Sequence, residues 1–141
     1  METNIIIAEI KENFNISQSK VIVNRSNLSK NNFISRSRNT AHINDVFYMM
    51  YGLILGPGNH TEAKIFYTEM LNNQAFIIEA FNKMQIIGFN NIRNVTLGHL
   101  FINVNCINDY KNFSIGKIFN SIDASKTIPG EKLAYFFSKL T

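Results

Sequence analysis

Residues 43–58 read Ile43-Asn44-Asp45-Val46-Phe47-Tyr48-Met49-Met50-Tyr51-Gly52-Leu53-Ile54-Leu55-Gly56-Pro57-Gly58. The apolar side chains Ile43, Val46, Phe47, Met50, Tyr51 and Ile54 recur at i, i+3, i+4, i+7, i+8 and i+11. That is the spacing of one face of an α-helix. Gly56-Pro57-Gly58 ends the pattern, because glycine suits a helix cap and proline cannot donate to a continuing ladder. Asn59 then stands three residues before Glu62, the spacing of an N-terminal cap. The helix it opens puts Ala63, Phe66, Tyr67, Met70 and Leu71 on one face. After Asn72-Asn73 the pattern resumes with Phe76, Ile77, Ala80, Phe81 and Met84. So short a link makes the first two helices an antiparallel hairpin.

Downstream, Gly88 to Asn91 reads as a turn and Val95 to Asn105 as a single strand buried on both faces. Residues 115–122 suit either state. Pro129-Gly130 introduces a last helix, with Leu133, Phe136, Phe137 and Leu140 at i, i+3, i+4 and i+7. Upstream, residues 3–14 form an amphipathic helix on Ile6, Ile7, Ile10 and Phe14. Residues 19–24 and 32–36 are rich in strand formers around the polar stretch Arg25 to Asn31, which favours a β-hairpin.

The expected fold is therefore α+β in one compact domain, 1–141. A central antiparallel helical hairpin packs on a small, mostly antiparallel sheet, and a C-terminal helix closes the core. Its parts are a basic N-terminal segment (11–40), a helical core (41–85) and a strand with the C-terminal helix (92–140). A chain of 141 residues suits this, being 45% apolar and 17% charged.

The formal charge is +4, unevenly placed. Residues 11–40 carry Lys11, Lys20, Arg25, Lys30, Arg36 and Arg38 against Glu12 alone. A basic patch attracts phosphate or an acidic partner. Lys20, Arg25, Lys30, Arg36 and Arg38 are the candidate nucleic-acid contacts, lined along one face of the hairpin, with Phe33 able to stack on a base. Within the same stretch, Ile10 to Asn27 resembles the turn and recognition-helix start of helix-turn-helix regulators. Ile10, Phe14, Ile16 and Val21 match its apolar positions and Asn15 its turn. The resemblance implies a helix offering Gln18, Ser19, Lys20, Asn24 and Arg25 to DNA. Lys11 and Asn24 depart from the pattern, and Val21-Ile22-Val23 favours a strand, so the hairpin is the preferred reading.

Other chemistry finds less support. His42, His60 and His99 lack zinc-site spacing, and the single Cys106 has no CxxC partner, so no metal or other cofactor is expected. His99 and Cys106 could meet as base and nucleophile, although their apolar setting favours a buried thiol. A histidine with Arg36, Arg38 or Arg93 could serve a metal-independent ribonuclease-like toxin. Gly56-Pro57-Gly58 before a helix could hold an anion, but an interhelical turn explains it. The lone cysteine suits a reducing, cytoplasmic setting. The apolar run Val46 to Leu55 is about half a membrane span. Asn and Ile, 21 of each, reflect codon bias before any binding code.

The expected function is a small non-enzymatic nucleic-acid-binding or regulatory protein acting through residues 18–38. The alternatives are a protein-interaction module (an inhibitor, chaperone or accessory factor) and the ribonuclease-like toxin. Oligomeric state is not legible.

Overall fold

The computed structural model describes residues 1–35, 39–116 and 125–140. Its contacts gather into two compact units, Met1–Asn73 and Gln74–Thr141. Together they make an α+β chain with six α-helices and a four-stranded antiparallel sheet among the described residues, and with a helix at the C-terminal end.

The first unit is helical: α1 (Thr3–Asn13), α2 (Gln18–Lys30), α3 (Ile43–Leu55) and α4 (His60–Asn72). α3 carries the periodicity read above and is buried from Val46 to Leu55 save Tyr48. His42 and Asp45 cap its first turn reciprocally. Gly56 closes it, and the Asn59 side chain accepts the Glu62 N–H at 2.8 Å to open α4. The chain doubles back so that Tyr51 stacks on Phe66 with centroids 5.9 Å apart.

Residues 19–24 of the expected hairpin lie in α2, which packs on both α3 and α4; residues 32–35 of its second strand form turn, bend and irregular chain, and residue 36 lies outside the described residues. Val21-Ile22-Val23 explains the misreading. Its burial alternates as a strand would, with Val21 and Val23 inside and Ile22 outside. A helix with a wide buried arc gives the same alternation. Ser17 caps α2, no glycine or proline interrupts it, and Val21, Asn24 and Leu28 return to the core at i, i+3 and i+7. Tertiary burial has overridden the β propensity of the triplet.

The second unit holds α5 (Ala75–Ile87), β1 (Ile92–Gly98), β2 (Phe101–Cys106), β3 (Phe113–Gly116), β4 (Lys126–Pro129) and α6 (Gly130–Ser138). The sheet order is β3-β2-β1-β4. The single strand expected from Val95 to Asn105 is a hairpin, β1 against β2. Its two-residue turn, His99-Leu100, holds Leu100 at φ 62°. No Asn-Gly or Asp-Gly announces that turn, so the sequence hides it. Burial on both faces is also corrected: along β2, Ile102, Val104 and Cys106 are buried and alternate with Phe101, Asn103 and Asn105. α5 lies on β2 and β3, and α6 on β1 and β4. The polar face pairs side chains across strands, Asn105 with Asn94 and Thr96 with Thr127. Of the ambiguous stretch 115–122, residues 115 and 116 belong to β3, and the remainder lies outside the described residues.

Candidate nucleic-acid interface

The site is built on α1, its turn and α2. Asn15 takes the left-handed conformation at φ 53°, which Asn tolerates better than most residues. The Ile16 N–H donates back to the Lys11 carbonyl at 3.0 Å, closing the end of α1 as a Schellman turn does. Ser17 then accepts from the Lys20 N–H. Ile10, Phe14, Ile16 and Val21, the apolar positions of the helix-turn-helix resemblance, are all buried. Two helices joined by a short turn are therefore present, with Asn15 in the turn.

Residues in a helix diverge by about 100° per step. On α2 this gives a buried arc through Val23, Asn27, Lys20, Asn24, Leu28 and Val21. The opposite arc runs from Arg25 through Gln18, Ser29, Ile22, Ser26 and Ser19 to Lys30. Gln18, Ser19, Ile22, Arg25, Ser26 and Lys30 are exposed, and Ser29 is half-buried. No acidic residue occurs in α2. The outward face is thus a row of hydroxyl and amide side chains around Ile22, edged by Arg25 and Lys30.

The predicted site residues separate accordingly. Lys20, Arg25 and Lys30 would share a strand-like surface only in part, and in a helix each lies about 140° from the next. Lys20 turns inward, and its Nζ donates to the Ile54 carbonyl at 2.9 Å. There it neutralises the negative end of α3. Arg25 stays exposed and donates from Nη2 to Asn4 Oδ1. It lines a cleft of about 340 Å³ with Thr3, Asn4, Ser29, Ile34, Ser35 and Asn39. Lys30 lines a second cavity of about 400 Å³, on the α4 side. Arg36 and Arg38 lie outside the described residues. Phe33 is buried in the core against Tyr48 and Tyr67, so it offers no base a stacking surface.

Asn24 is also corrected. The resemblance offers it to DNA, yet it is fully buried. Its Nδ2 donates to the carbonyls of Lys20 at 2.8 Å, Gly56 at 3.2 Å and Pro57 at 3.2 Å. Its Oδ1 accepts from the Tyr67 hydroxyl at 3.1 Å. Burial holds the Tyr67 phenol well above the usual phenol range, so it remains a donor. Gly56-Pro57-Gly58 is thus a turn clasped by Asn24. Gly52 and Gly56 give the room: a Cβ on Gly52 would meet Tyr67 Oη at 2.6 Å, and one on Gly56 would meet Asn24 Oδ1 at 1.9 Å.

The remaining candidates do not assemble. Gly98 pairs with Phe101 and Ile92 with Cys106, so His99 and Cys106 lie at opposite ends of the β1–β2 hairpin, about 17 Å apart along the strand. The Cys106 thiol is buried, donates to the Lys111 carbonyl, and is pushed up by desolvation. Arg93 is likewise a strand length from His99. Among the described residues, no three His, Cys, Asp or Glu side chains gather as metal ligands. None of the described helices is long and apolar enough to cross a membrane. No family model, curated protein or solved structure matches the chain.

Proposed function

We propose that the first unit is a non-enzymatic, nucleic-acid-binding regulatory module that lays the exposed face of α2 on duplex DNA. One observation carries this reading: α2, joined to α1 by a short turn, has an acid-free outward face edged by two cations. A helix with side chains is about 10–12 Å across, which suits a major groove about 12 Å wide. Arg25 and Lys30 would then neutralise phosphates on the two walls of the groove. Gln18, Ser19 and Ser26 would offer hydrogen bonds to base edges, and Ile22 an apolar contact to a thymine methyl.

The experiment is fluorescence anisotropy of labelled duplex DNA, with labelled RNA alongside, across a range of salt. Each lost phosphate contact lowers the slope of log K against log salt by about 0.9. Arg25→Ala with Lys30→Ala is expected to lower the slope by about 2 and weaken binding across sequences. Binding and slope unchanged in that double variant would overturn the proposal. A salt-tolerant complex with a protein, and no shift with either nucleic acid, would replace it with the interaction-module reading.

A further inference from the structure

We infer that the cavity between α2 and α4 seats a phosphate of the same polyanion, with Lys64 as a contact that the charge pattern of the N-terminal segment does not reveal. The inference rests on the α2 reading and extends it to a second helix. The cavity, about 400 Å³, is lined by Asn27, Lys30, Asn31, His60, Lys64 and Thr68. α4 presents His60, Lys64 and Thr68 at i, i+4 and i+8, one above the other on a single face. α2 supplies Lys30 from the opposite wall. Lys30, His60 and Lys64 are all exposed, and none of the described lining residues is acidic.

The neutral lining groups are already engaged within their own helices. Asn27 Nδ2 donates to the Val23 carbonyl at 2.9 Å and Asn31 Nδ2 to the Asn27 carbonyl at 2.8 Å. The Thr68 hydroxyl donates to the Lys64 carbonyl at 2.8 Å. Each carboxamide keeps one further N–H, and the two ammonium groups and the imidazole are the lining groups that can bring positive charge to an anion. Two like charges facing one cavity repel each other, and a phosphate between them removes that cost. Compact ammonium groups suit a phosphodiester as point charges, without the planar fork a carboxylate favours. Lys30 belongs both to this cavity and to the α2 face. A phosphate resting on Lys30 would therefore sit over the cavity that Lys64 also lines.

The test uses the full chain and the same labelled duplex. Lys64→Ala is expected to lower the salt slope by about 1 and weaken binding uniformly across sequences, while Lys64→Arg retains the slope. Lys64 is exposed, so both variants should melt as the parent does. Lys64→Ala with an unchanged slope, where Arg25→Ala lowers it, would overturn this inference and leave the α2 reading standing. If Arg25→Ala also leaves the slope unchanged, the α2 reading fails with it.

Discussion

Replacing Asn24 by alanine perturbs the first unit at its most constrained point. The Asn24 side chain ties α2 to the turn between α3 and α4 and to Tyr67 on α4. Its loss strands the Gly56 carbonyl in the core and leaves the Tyr67 hydroxyl only the Asn24 backbone carbonyl, 3.4 Å away. A buried polar group left without a partner costs about 1–3 kcal/mol. Pro57 is half-buried, so water can reach its carbonyl and little is added there. The Lys20 carbonyl keeps its helical bond to α2. One stranded carbonyl and one weakened hydroxyl bond give a loss of about 2–3 kcal/mol. Urea denaturation followed by circular dichroism measures it. Tyr67→Phe alone removes one donor and should cost about 1 kcal/mol, and the two changes together should cost less than their sum. A loss below about 0.5 kcal/mol for Asn24→Ala would mean the clasp is not what joins these helices. Additive losses in the pair would refute the Asn24–Tyr67 bond specifically.

Two further outcomes follow from the same packing. Gly56→Ala should cost about 3 kcal/mol in the same denaturation, because its Cβ would lie 1.9 Å from Asn24 Oδ1 and 2.3 Å from the Gly52 carbonyl. The cost is steric, since Gly56 sits at φ −58°, where alanine is comfortable. The second concerns alkaline pH. Burial raises the Tyr67 phenol above its ordinary 10.0, so the neutral form is favoured in the folded state. That stabilisation is complete below the unfolded value of 10.0 and is lost as pH rises through the window up to the raised folded value. The stability difference between the parent and Tyr67→Phe, compared at about pH 9 and about pH 11, should shrink at the higher pH. A constant difference would contradict a buried, ionisation-resistant phenol.

The regular helices were legible because they carry both period and punctuation. α3 starts where Ile43 begins the apolar stripe and stops at Gly56, and α4 starts after its Asn59 cap. α6 likewise follows Pro129. α2 was harder because Val21-Ile22-Val23 gives a buried-exposed-buried pattern in either state. What settles it is Asn24, whose side chain, besides its bond to the Lys20 carbonyl, reaches Gly56, Pro57 and Tyr67, all more than thirty residues away. The β1–β2 turn was hidden because a leucine occupies a conformation that glycine or asparagine usually marks. For the candidate site, the concentration of cations drew attention to α2. It also grouped Lys20 with Arg25 and Lys30, although a helix sends them in different directions. Lys64 escaped because residues 41–90 sum to a negative charge, and only the pairing of α4 with α2 brings it beside Lys30.

The most direct measurement is amide chemical-shift mapping of the ¹⁵N-labelled chain titrated with a short DNA duplex. The largest shifts are expected along the outward arc of α2, at Ser19, Ile22, Arg25, Ser26 and Lys30, and should fade when salt is raised. Shifts that leave this arc untouched at saturating DNA, or no shifts at all in low salt, would contradict the α2 reading.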